Sequence, residues 1–209
     1  MPSVRVIDAI ELHFSKNANR VASVVVGPRR EGWFNSEAFV ALMEAFNPLE
    51  QGGFSVYGEE NFKTALLKLN WPDAGGLTSK IPDLVGYSAD TNAPPVFILE
   101  AKLVFDHDAD RGLAAIQALS AQLKNARTIV PGVPVIGVVY AARSPLPGDV
   151  TSFFRKLSLI METELSTSEG FDWVAGQPVH IIPGLSNISP GFKGWNCHSS
   201  VGIGARVAR

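Results

Sequence analysis

Cysteine is almost missing from this chain: Cys197 stands alone among 209 residues. That excludes an internal disulfide and a cysteine-built metal site, and a reducing, cytoplasmic setting is expected. Histidine is scarce too. His13, His107, His180 and His198 show no close paired spacing, so nothing suggests a zinc site. Charge of one sign is also missing: the net charge is -2, and no global field points to nucleic acid or an anionic membrane, although a local basic face stays open. No apolar run approaches membrane-spanning length. The opening MPSVRVIDAIELHF carries acidic residues where a signal peptide needs an apolar stretch. A Walker-type phosphate loop and a Gly-x-Ser-x-Gly elbow are absent as well.

What the chain does have is enough apolar material for one sizeable core, at 46% hydrophobic residues. A single domain over residues 1–209 is expected. NRVASVVVGPRREG reads as a valine-rich strand. NSEAFVALMEAF reads as a helix capped at Asn35 or Ser36, with Phe39, Leu42, Met43 and Phe46 on one face. GEENFKTALLKLNW is a second helical candidate. IPDLVGY and VFILEAKLVF read as strands joined by the loop SADTNAPP, close enough to pair as a hairpin. DRGLAAIQALSAQLKNAR follows as a helix, with Leu113, Ile116, Ser120, Leu123 and Arg127 along one track. VPVIGVVYAA is a continuous apolar run, as for a strand buried on both faces. DVTSFFRKLSLIMETEL reads as a helix and PVHIIP as a strand; the Gly-rich GFKGWNCHSSVGIGARVAR is open between a tail, an arm and strands. This alternation predicts an α/β fold with a central mixed sheet flanked by helices.

Three charges interrupt two of the most apolar runs. Asp83 lies in one; Glu100 and Lys102 lie in the next. Strand side chains alternate, so Glu100 and Lys102 share a face with Val96 and Ile98, while Ala101 points the other way. Pairing of the strands brings Asp83 near Glu100. Two carboxylates held close raise one another's pKa and call for a cation. Hard oxygen ligands of this kind suit Mg²⁺. Lys102 is placed to orient or deprotonate an attacking water, or to neutralise charge developing on a phosphate. Both roles suit phosphodiester hydrolysis assisted by a metal ion.

Pro82-Asp83 on one strand and Glu100-Ala101-Lys102 on the next resemble the PD-(D/E)XK nuclease superfamily, with its restriction-endonuclease-like fold. The order hairpin, amphipathic helix, buried strand is similar to that family's core, and the resemblance spans about residues 59–140. It implies that Asp83, Glu100 and the backbone carbonyl of Ala101 hold Mg²⁺ or Mn²⁺, that Lys102 is catalytic, and that DNA is cut to leave a 5′-phosphate and a 3′-hydroxyl. It also implies a glutamate on an upstream helix. Glu60 is the expected one, with Glu59, Glu37 and Glu44 as rivals, although Glu37 and Glu44 lie opposite the apolar stripe of their helix and read as solvated. Some relatives carry Gln-x-x-x-Tyr on the following helix; here Gln117 is followed four positions on by Ala121, so that motif is absent.

Blander readings stand beside these. Glu100 and Lys102 could be a same-face pair on a water-exposed hairpin. The same fold could bind nucleic acid or protein without cutting. Asp106, Asp108 and Asp110 alternate like a calcium loop, but Arg111 and Gln117 occupy the places that need glycine and glutamate; a helix-capping segment fits better. A cut in both strands of DNA would call for a homodimer.

Overall fold

The computed structural model describes residues 2–17, 20, 30–46, 53–58, 81–88, 93–105, 109–142, 171–174, 178–183 and 198–208. In chain order the elements are α1 (Pro2–Lys16), α2 (Arg30–Ala45), β1 (Phe54–Gly58), β2 (Leu84–Ser88), β3 (Phe97–Phe105), α3 (Ala109–Ile129), β4 (Val135–Ala142), β5 (Phe171–Val174), β6 (Pro178–Pro183) and β7 (His198–Ala208). Among the described residues, no helix is long and apolar enough to cross a membrane.

The hairpin is present. β2 and β3 run antiparallel, with Leu84 opposite Leu99, Val85 opposite Ile98 and Gly86 opposite Phe97. β1 adds antiparallel to β2. After β3 the chain crosses through α3 and returns as β4, parallel to β3 from Ile98 opposite Val135 to Phe105 opposite Ala142. β7 then lies antiparallel to β4, and β5 and β6 pair with β7 in turn. The result is a mixed α/β sheet.

Period-two alternation splits β3 and β4 between two layers. Phe97, Leu99 and Ala101 join Ile136, Val138 and Tyr140 in a core with Val6, Ile10 and Phe14 of α1 and Phe34, Ala38 and Leu42 of α2. The alternate positions face α3, whose buried stripe is Ile116, Leu119, Leu123 and Ala126. Leu123 sits over Gly137, and Val104 meets Gly112. Layers on both faces explain why Val135, Ile136, Val138, Val139 and Tyr140 are all buried.

Several local expectations change. α2 starts at Arg30, so Asn35 and Ser36 lie inside it, where Ser36 Oγ donates to the carbonyl of Gly32 at 2.9 Å. The apolar stripe reaches back to Phe34, which carries the helix upstream of its expected cap and turns Met43 outward. The end of the expected strand NRVASVVVGPRREG is therefore helical; its residues 21–29 lie outside the described residues. Leu113 is exposed, because the α3 stripe follows Ile116, Leu119 and Leu123. α1 and β1 were not expected. PVHIIP is a strand as read, and the Gly-rich end supplies β7. The helices expected over 58–71 and 149–165 fall outside the described residues, apart from Gly58 in β1.

Gly86 shows how tightly the hairpin is built. A Cβ there would stand 2.2 Å from Cε1 of Phe97. The Phe97 ring is itself held edge-on by Phe54, with centroids 5.2 Å apart, and Phe54 stacks on Phe46 at 4.1 Å. Gly86→Ala is expected to destabilise the fold by about 1–3 kcal/mol through overpacking, measured by urea unfolding.

Candidate active site

β3 is longer than its neighbour. Its ladder with β2 ends at Leu99, and among the described residues no strand covers that edge beyond it. The N–H of Ile98 donates to Pro134 on the β4 side, so by alternation the N–H groups of Ala101 and Leu103 face the opposite, open side. Left bare in a half-buried place, each would cost about 1–3 kcal/mol. Carboxylates take them instead. Ala101 N–H donates to Asp83 Oδ2 at 2.7 Å, and Leu103 N–H donates to Glu31 Oε2 at 3.0 Å.

Asp83 sits at the bend just before β2, and the register carried one step on places it opposite Glu100. Glu100 is 3% exposed. Burial, then the Asp83 carboxylate, pushes its pKa up to about 8; the Lys102 ammonium and a hydrogen bond from the Asp83 backbone pull it partly back. A water-exposed hairpin is thereby ruled out. The N–H and C=O of a strand residue point the same way, so the Ala101 carbonyl faces the open edge with Asp83.

Lys102 leaves the same face of β3 as Glu100, yet its Nζ donates to Glu31 Oε1 at 3.3 Å. Its long stem bends round the open edge to do so. Beneath the edge lies Tyr140, fully buried, with no hydrogen-bond partner for its hydroxyl among the described residues. Its ring stacks on Phe34, centroids 4.9 Å apart. Burial raises its pKa well above the ordinary value, and the Asp83 and Glu31 carboxylates raise it further.

Asp83, Glu100, Ala101 and Lys102 are therefore brought together as expected. Glu60 and Glu59 lie outside the described residues. Glu37 is not solvated: it is 5% exposed, its Oε2 lies 2.9 Å from His13 Nε2, and Arg20 donates to the same oxygen. The buried stripe of α2 runs through Phe34, Ala38, Ala41 and Leu42, so Glu37 lies beside it against His13 of α1, and not opposite as the expected stripe through Phe39 and Met43 places it. Glu44 is exposed but touches His13 Nδ1 at 3.0 Å. These contacts tie α1 to α2.

Glu31 is the residue that sequence reasoning missed. Reading 19–32 as a strand hid it, although it lies three positions before Phe34, in helical step with the buried stripe. Among the described residues no three His, Cys, Asp or Glu side chains form a metal-holding group. The oxygens that face one another there are the Asp83 and Glu100 carboxylates and the Ala101 carbonyl; Glu31, a third carboxylate at the edge, pairs with Lys102.

Because the folded pKa of Glu100 lies above the ordinary value of 4.5, the folded state holds this proton more tightly. Its stabilising contribution is complete below that ordinary value and is lost as pH rises through about 8. Without divalent cations, wild type is expected to lose on the order of 4 kcal/mol of unfolding free energy between about pH 5 and about pH 9 relative to Glu100→Gln. Urea titrations of both proteins across that range check it.

Comparison with protein-family models, with curated proteins and with solved structures finds no match for this chain, so the geometry alone carries the functional reading.

Proposed function

We propose that this chain is a divalent-metal-dependent DNA endonuclease with a restriction-endonuclease-like core. One observation carries the reading: Glu100 is buried opposite Asp83, where no strand among the described residues covers the edge of β3, with Lys102 two residues on. Packing alone does not favour such a group, since a buried carboxylate beside another is costly unless a cation compensates it. The donor set fits the cation. Asp83, Glu100 and the Ala101 carbonyl are hard oxygens, and Mg²⁺ is commonly held by one or two carboxylates with water completing its shell.

A bound Mg²⁺ or Mn²⁺ would supply Lewis-acid polarisation of a phosphoryl oxygen. The remaining work falls to the chain. Lys102 faces the developing negative charge and orients the attacking water. Glu31 sets where the ammonium stands by holding it from the first turn of α2. Water adds to phosphorus, the bond to the 3′-oxygen breaks, and a proton passes to that oxygen, leaving a 5′-phosphate and a 3′-hydroxyl. Two copies of the chain would serve to cut both strands of a duplex.

The test incubates the protein with plasmid and with single-stranded DNA in Mg²⁺, in Mn²⁺ and in EDTA, beside Lys102→Ala. Cutting in Mg²⁺ or Mn²⁺, none in EDTA, and a loss of roughly 10²–10⁴-fold in the variant are expected. Cutting that persists through both EDTA and the substitution would sink the mechanism. DNA binding without cutting would instead favour a non-catalytic module of the same fold.

A further inference from the structure

Tyr140 is among the largest fully buried side chains of the core, and its hydroxyl has no hydrogen-bond partner among the described residues. A dry, unpaired hydroxyl is unfavourable, and phenylalanine would fill the same place without it. Packing therefore does not account for the oxygen. Register sets Tyr140 opposite Leu103, on the sheet face that Ala101 and Val138 share. Ala101 and Leu103 are the residues whose N–H groups hold Asp83 and Glu31. The ring stacks on Phe34, with centroids 4.9 Å apart and planes 23° apart, and on Phe14 at 5.9 Å and 18°. Phe34 lies one helical turn beyond Glu31 on α2. Held between two rings, the phenol has little freedom to turn toward another partner. Burial first, then the Asp83 and Glu31 carboxylates, keep the proton on its oxygen. Tyr140 is thus a fixed donor in the field of two acceptors.

Resting on the metal-dependent reading above, we propose that Tyr140 is a positioning residue for Asp83: when the site holds Mg²⁺ or Mn²⁺, the Tyr140 hydroxyl donates to the Asp83 carboxylate and fixes the way that ligand turns. Asp83 is chosen over Glu31 because Glu31 gives one oxygen to Lys102 and the other to the Leu103 N–H. An ionised carboxylate has about four acceptor sites, so Asp83 keeps the Ala101 N–H and takes the hydroxyl as well. Hydrogen-bond partners standing behind a metal ligand commonly decide tenfold or more in metal affinity. A donor that meets its acceptor only in the loaded site is unfavourable to the fold alone and useful to the site.

Tyr140→Phe removes the oxygen and keeps the ring. Full-length wild type, Tyr140→Phe and Asp83→Asn are titrated with Mn²⁺ by electron paramagnetic resonance, and each is melted in EDTA. Wild type is expected to bind Mn²⁺ and Asp83→Asn to lose that binding. Tyr140→Phe should bind it roughly tenfold more weakly, yet melt in EDTA at or above wild type, because an unpaired buried hydroxyl has gone. A hydroxyl with a purely structural role would instead lower the melting temperature. Tyr140→Phe that binds Mn²⁺ as tightly as wild type overturns the proposal and leaves the metal site standing. So does a variant that melts well below wild type in EDTA, since its hydroxyl then serves the fold without the ion. Wild type that binds no Mn²⁺, or keeps binding it after Asp83→Asn, removes the metal reading and the role of Tyr140 with it.

Discussion

Where β3 runs past the end of β2, its main chain needs acceptors that no strand among the described residues provides. Asp83 and Glu31 supply them, at 2.7 and 3.0 Å. Much of the surrounding structure follows from this requirement. The bend into β2 has to stand at Asp83, and the first turn of α2 has to come down on the same edge. A negative charge is thereby fixed on either side of the last exposed stretch of β3. The two main-chain donors carry no net charge; the Lys102 ammonium pairs with Glu31, and the Asp83 carboxylate faces Glu100.

Glu100 then sits in the field of the Asp83 carboxylate. Its neighbours along the strand are entirely apolar: Leu99 and Ala101 are fully buried, and Gly137 lies beside it on β4. The absence of a side chain at Gly137 lets Leu123 descend there, closing α3 over the strand. The same packing that dries the core also strips water from the Glu100 carboxylate. Its reluctance to ionise follows from that packing first and from the Asp83 carboxylate second; the ammonium of Lys102 and a main-chain donor oppose it.

The parts of this architecture that could be read from the letters are those whose signal is local. The hairpin, α3 and β4 announce themselves through continuous apolar runs and a helical stripe, and the charges stand out because they break those runs. Asp83 opposite Glu100 follows from register once the hairpin is granted. Other features depend on contacts far away in the chain. Glu37 looks solvated until His13 of α1 and Arg20, beyond the end of that helix, reach it. Glu31 becomes legible only if α2 is started early enough, and the valines ahead of it, closed by Gly27-Pro28, favour a strand instead. In α1, Val6, Ile7 and Ile10 are β-branched, which blurs a helical stripe that is nonetheless buried. β7 contains Gly202 and Gly204 and owes its place to ladders on both edges, an arrangement in which hydropathy patterning has little say.

That last strand also sets the order of events during synthesis. β4 spans Val135–Ala142, and the strand that covers its outer edge is not made until His198–Ala208. As the ribosome advances, the site-bearing half of the sheet is available first, with a long apolar edge waiting for a partner more than fifty residues downstream. Non-local pairings of this kind fold slowly, and an unpaired edge invites association with other chains. The vulnerable moment in the life of this protein is the interval on the ribosome between β4 and β7, when chaperone shielding matters most.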